Sequence, residues 1–177
     1  MIRIFLIGYM GSGKTTLGRA FARKRGLGFI DLDWYIEERL HKTVSEIFAE
    51  RGDEGFREIE CKMLHEVGEY ENVIIACGGG TPCFFDNMDY MNRTGQTVLL
   101  DASNEVLFRR LKIAKAKRPL LADKTDTELM DVILDGLQKR MPYYSKAQYK
   151  LGADHLESIS QISDTMLSLE ELLGINE

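Results

Sequence analysis

Hydrophobic positions along the chain follow two alternating patterns. Ile2-Arg3-Ile4-Phe5-Leu6-Ile7, Val73 to Cys77 and Thr97-Val98-Leu99-Leu100 are short, nearly continuous apolar runs. Runs of this kind suit strands buried on both faces. Between them the spacing turns helical. Thr15 to Arg25 reads as a helix stopped by Gly26 and Gly28, Phe29 to Asp33 as a short strand ending in carboxylates, and Trp34 to Leu40 as a second helix. Thr43-Val44-Ser45-Glu46 is a capping box opening a short helix through Ile47 and Phe48, which Gly52 breaks. Phe56, Ile59, Met63 and Val67 mark one face of a longer helix. Further helices are predicted over Asp86 to Asn92, from a Ser103 cap through Leu107 and Leu111, from a Thr125–Glu128 capping box to about Arg140, and from Ser158 to Leu173. Tyr149 to Leu151 reads as a short last strand, and residues 112–124, basic around Arg118-Pro119-Leu120-Leu121, as an exposed loop.

Strands alternating with helices predict an α/β fold: three α/β/α layers with a central parallel sheet of about five strands. No repeat or linker divides the chain, so residues 1–177 are expected to form one domain. Ligands of such sheets gather at the carboxyl ends of the strands. Three segments fall there and should share one cleft: residues 8–15, the Asp31/Asp33 pair, and Gly78-Gly79-Gly80.

The first of these, GYMGSGKT, places Gly8, Gly13, Lys14 and Thr15 at the spacing of a phosphate-binding loop between a strand and a helix. Glycines let successive backbone N–H groups turn inward toward phosphate oxygens. The pattern assigns Gly11, Ser12, Gly13 and Thr16 to the nucleotide cradle, Lys14 to the β- and γ-phosphates of ATP, and the Thr15 hydroxyl to Mg²⁺.

The remaining candidates also have plainer roles open to them. A kinase needs one carboxylate near Mg²⁺ and another near the attacking hydroxyl, which Asp31 and Asp33 supply. Asp33 equally suits a helix cap before Trp34, and Asp31 a solvated strand end. Arg57, three residues before Glu60, reads from spacing alone as an exposed ion pair; the other reading has Glu60 orienting a guanidinium toward a substrate carboxylate. Three glycines after a strand make a poor plain turn and suit close approach to a ligand. Arg118 lies among Lys112, Lys115 and Lys117: either solvated charge or a mobile loop carrying an arginine to the transferring phosphate. Arg110 and Arg140 have surface roles open to them as well.

Net charge is −5 with a pI near 5.3, which argues against a general nucleic-acid or membrane-surface binder. Cys61, Cys77 and Cys83 lack metal-ligand spacing and fit reduced thiols in a cytosol. The scattered His41, His65 and His155 make zinc improbable, and no stretch is long enough to span a bilayer. Nothing demands an oligomer, so a monomer is the default.

Taken together, GYMGSGKT, FIDLD followed by IEE, GFREIE, GGG, RPLL and RMPYY resemble the shikimate kinase family in order and separation over about residues 4–144. The resemblance implies an adenylate-kinase-like P-loop fold with a small mobile lid, and transfer of the ATP γ-phosphoryl to the 3-hydroxyl of shikimate. It assigns Asp33 to the substrate hydroxyls and to base catalysis, and Arg57 and Arg140 to the shikimate carboxylate. Gly79 and Gly80 would offer backbone to the substrate. Asp31 would support Mg²⁺ beside Thr15, Arg118 would be the lid arginine, and Arg110 would lie near the adenine. Substrate-binding helices would span about residues 33–61, the lid about 112–124, and an adenine-contacting loop about Gly152 to Leu156. Gluconate and nucleoside-monophosphate kinases share the P-loop and layout. A switch GTPase is disfavoured because the chain contains no Asp-x-x-Gly.

Overall fold

A computed structural model describes residues 1–115 and 121–175. Five strands, β1 (Arg3–Ile7), β2 (Gly28–Asp31), β3 (Val73–Ala76), β4 (Gln96–Asp101) and β5 (Tyr149–Gly152), form one parallel sheet in the order β2-β3-β1-β4-β5. β1 is central, with Phe5 opposite Ile75 on one side and Thr97 on the other. Ile4 to Ile7 and Ile74 to Ile75 have no exposed surface, because helices cover both faces of the sheet. That is why these strands read as unbroken apolar runs.

Among the described residues seven helices accompany them: α1 (Lys14–Arg25), α2 (Leu32–Leu40), α3 (Val44–Val67), α4 (Asn87–Thr94), α5 (Asn104–Ala114), α6 (Asp126–Tyr144) and α7 (Ile159–Leu173). Both predicted capping boxes form, at Thr43/Glu46 on α3 and Thr125/Glu128 on α6. The two helices expected on either side of Gly52 are both present and run together as α3 across a sharp kink, where Gly52 is non-helical at φ 70° and ψ −177°. α1 packs on β2, β3 and α7, α4 on β4, and α5 on α6.

Several element bounds differ from expectation, and the following differences bear on the site. β2 ends at Asp31, not Asp33, because the Asp31 side chain accepts from the Asp33 and Trp34 N–H groups and starts α2. Asp31 is therefore the helix cap, and Asp33 sits in the first turn of α2. A short 3₁₀ turn, Thr81–Cys83, follows the glycines. α6 continues beyond Arg140 to Tyr144, since Pro142 falls where the helix is already ending. The 112–124 loop is shorter than expected: Lys112 to Ala114 belong to α5, and Leu121 is buried. Residues 116–120, with Arg118, lie outside the described residues.

Candidate active site

β1 runs into a loop whose Gly8, Gly11 and Gly13 have φ of 145°, 82° and 97°. Side-chain-bearing residues rarely adopt those values. Space is equally tight: a Cβ on Gly13 would lie 2.4 Å from Leu156 Cδ1. α1 starts at Lys14 with no side-chain cap and no acidic residue in its first turn. By contrast α2, α3, α5, α6 and α7 are capped by Asp31, Thr43, Ser103, Thr125 and Ser158. An uncapped N-terminus pointing at an open cleft suits a bound anion. Lys14 Nζ donates to the carbonyls of Gly8 (2.7 Å) and Tyr9 (3.0 Å). The Ser12 side chain is buried under the loop, and its N–H donates to Tyr9 O at 3.1 Å. Thr16 is exposed at the cleft.

Thr15 Oγ1 donates to Asp31 Oδ2 at 2.8 Å. Asp31 thus serves the loop with one oxygen and α2 with the other. Asp33 stands beside it with its pKa raised to about 6, by burial first and then by the Asp31 and Glu60 carboxylates, against Lys14. A carboxyl held this close to neutrality is suited to proton transfer. Among the described residues no group of three acidic, His or Cys side chains could hold a metal unaided. Thr15 and Asp31 are nevertheless hard oxygen donors of the kind Mg²⁺ uses when substrate phosphates and water complete its shell.

The glycine turn after β3 draws the other candidates together. A Cβ on Gly78 would lie 3.2 Å from both Asp33 Oδ1 and Glu60 Oε1, on Gly79 3.0 Å from Arg140 Nη1, and on Gly80 2.7 Å from Arg57 Nη2. Arg57 and Glu60 are not the exposed ion pair that spacing favours. Glu60 is 1% exposed, bound to Arg57 Nη1 at 2.8 Å and to Thr81 Oγ1 at 2.6 Å. The 78–81 turn covers that face of α3, which no helix-face pattern announces. The Arg140 guanidinium lies 5.1 Å from the centre of the Tyr9 ring, and Tyr144 OH donates to Gly79 O at 2.6 Å. Burial pushes the Tyr144 phenol up, keeping it a donor.

Arg110 closes the opposite end. Its guanidinium donates to Glu157 Oε1 (2.9 Å), Ala153 O (2.8 Å) and Gly11 O (3.2 Å), joining the 153–157 loop to the phosphate loop. One cleft of about 550 Å³ runs from Asp33 and Gly79, past Lys14 and Thr15, to Arg110 and Leu156. Arg57, Gly80 and Arg140 adjoin its Gly79 end. Sequence reasoning did not single out Tyr9, Phe84 or Glu157, which act here only through neighbours brought by the fold.

A parallel 2-3-1-4-5 sheet with a phosphate loop on its central strand and a carboxyl held beside it defines a P-loop kinase of small metabolites. The shikimate kinase family model matches residues 10–170. A shikimate kinase of Bacteroides thetaiotaomicron is 63% identical over 175 residues, covering 99% of this chain and 100% of that one. The crystal structure of a shikimate kinase from the same organism superimposes with a TM-score of 0.96 at 62% identity, over 98% of each chain. A shikimate kinase from Acinetobacter baumannii, solved in complex with shikimate, gives a TM-score of 0.85 at 29% identity over 99% of this chain and 95% of that one. The chain belongs to the shikimate kinase family, ATP-using phosphotransferases. No helix among the described residues is long and apolar enough to cross a membrane.

Proposed function

We propose that this cleft transfers the γ-phosphoryl of ATP to the 3-hydroxyl of shikimate, with the site residues divided among three tasks. Lys14 and the N–H groups of Gly11 to Thr16 hold the phosphates at the start of α1, and Arg110 borders the adenine. Arg57 and Arg140 face the shikimate carboxylate, and the backbone of Gly79 and Gly80 admits the ring closely between them. Asp33 binds the acceptor hydroxyl and takes its proton as the oxygen attacks phosphorus. Thr15 and Asp31 would hold Mg²⁺, which would supply charge neutralisation for the phosphates. Arg118 belongs to the same proposal from its motif, as the lid arginine, and lies outside the described residues.

The observation that carries this reading is the glycine turn. Within about 3 Å of its missing Cβ positions stand the carboxyls of Asp33 and Glu60 and two guanidinium groups, adjoining the phosphate loop. Glu60 is taken up by Arg57 and Thr81, and the remaining acid, Asp33, with two arginines around bare backbone matches a small ligand with a carboxylate and a hydroxyl. The test is Mg²⁺-dependent ADP release from ATP with shikimate, gluconate and AMP in parallel. Release with shikimate alone, and a product phosphorylated at the 3-position by ³¹P–¹H correlation, supports the assignment. Release with gluconate or AMP instead would void the acceptor assignment while leaving the phosphate loop intact.

A further inference from the structure

The Arg57 guanidinium is seated by more than Glu60. Phe84 lies over it, with the ring centroid 4.2 Å from Arg57 Cζ, while Phe56 and Phe48 stand farther off at 5.2 and 5.8 Å. The Arg57 side chain is only 14% exposed, so this stack operates where water screens little. Phe84 cannot drift, because the turn before it is pinned twice. Thr81 Oγ1 donates to the buried Glu60 at 2.6 Å, and the buried Asn87 Nδ2 donates to Thr81 O at 2.9 Å. Glu60 holds Nη1, Asp53 stands 3.5 Å from Nε, and Phe84 lies against the guanidinium, whose Nη2 comes nearest to Gly80 at the end of the cleft.

We infer that Phe84 is a positioning residue for the acceptor: its ring holds Arg57 so that the guanidinium meets a carboxylate edge-on. The inference rests on the reading of Arg57 as the carboxylate clamp. A ring that only filled space would support every acceptor alike. A ring that orients a cation supports the charged acceptor more than a neutral analogue of the same shape.

The experiment compares shikimate with its methyl ester, as KM values and as dissociation constants by calorimetry, in the full chain and in Phe84→Leu and Phe84→Tyr. Phe84→Leu should weaken shikimate by about tenfold, as expected for a largely desolvated cation–π contact. It should change the ester little, so the acid-to-ester preference shrinks. Phe84→Tyr, which keeps an aromatic face, should restore most of that preference. An unchanged preference in Phe84→Leu overturns the inference, and so does equal weakening of acid and ester, the mark of a packing role. If the unsubstituted protein itself shows no preference for the acid, the Arg57 clamp fails first. ATP KM and melting temperature, read alongside, separate both results from misfolding.

Discussion

At the scale of single residues, Asp33 carries a conflict between stability and chemistry. Its folded pKa, about 6, lies above its ordinary 3.8, so the fold holds its proton more tightly than the unfolded chain does. The stabilising contribution is therefore full below the ordinary value and is lost as pH rises through about 6. If Asp33 is the base, its ionised form is the working one, and kcat/KM for shikimate should fall on the acid side with a midpoint near 6 in the free enzyme. A nearby Mg²⁺ would favour the carboxylate and move the kcat limb lower. Asp33→Asn should cut kcat by roughly 10²-fold or more. The same variant should melt higher at pH 8, because it removes a charge crowded by Asp31 and Glu60. Turnover near normal would remove Asp33 from the proton-transfer role. Gly80 poses a different question, since its φ of −91° is one any residue adopts. The space it leaves is what Arg57 occupies, with Nη2 2.7 Å from a would-be Cβ. That guanidinium is held by the buried Glu60 and by Phe84, so Gly80→Ala disturbs a pinned ion pair and should lower the melting temperature by several degrees without unfolding the domain. It should also raise shikimate KM by roughly tenfold, as a displaced clamp loses about one charge-assisted hydrogen bond. Unchanged KM in steady-state kinetics would mean that Arg57 is not the clamp.

At the scale of elements, the kink in α3 is the structural device nearest the acceptor side. Phe48 precedes it and Phe56 follows it, yet their rings stack with centroids 4.2 Å apart, beside Arg57. That pairing needs Gly52 at φ 70° and ψ −177°, a conformation essentially confined to glycine, while the space around its Cβ position is open. The cost of Gly52→Ala is thus backbone strain alone, about 1–3 kcal/mol. Denaturant unfolding should show that loss, and shikimate KM should rise as the phenylalanine pair opens; equal stability would mean that the kink relaxes freely. The glycine break was legible in the sequence, as were both capping boxes, the strand runs and the phosphate loop, because each rests on contacts within a few residues. What was not legible depended on contacts made by the fold. Arg57 and Glu60 at i,i+3 look the same whether their face meets water or the 78–81 turn, and the turn's position is set by β3, not by α3. Likewise Asp33 read as the possible cap and Asp31 as a solvated strand end, whereas the cap is Asp31. The choice between them fell to where β2 leaves its pairing with β3, at Asp31 opposite Ala76.

At the scale of the whole molecule, strand order divides the labour. β1 brings the phosphate loop to the middle of the sheet. β2 and β3 on one flank bring Asp31, Asp33 and the glycine turn; beyond β4, on the other flank, stand Arg110 and the 153–157 loop that ends β5. The nucleotide and the acceptor should therefore engage largely different side chains and meet only at the loop. Each ligand that binds only the native state stabilises it by mass action, about 2.7 kcal/mol at a hundredfold excess over its dissociation constant. For a domain of this size that is roughly 5–10 °C in melting temperature. Thermal unfolding with ADP alone and with shikimate alone should give a crossed pattern in two variants. Arg57→Ala should lose the shikimate increment and keep that of ADP, while Lys14→Ala should lose the ADP increment and keep most of that of shikimate. Loss of both increments in Arg57→Ala would mean that the two flanks form one cooperative site. In that case the acceptor-side arginines support the phosphate loop itself, rather than receiving a separate ligand beside it.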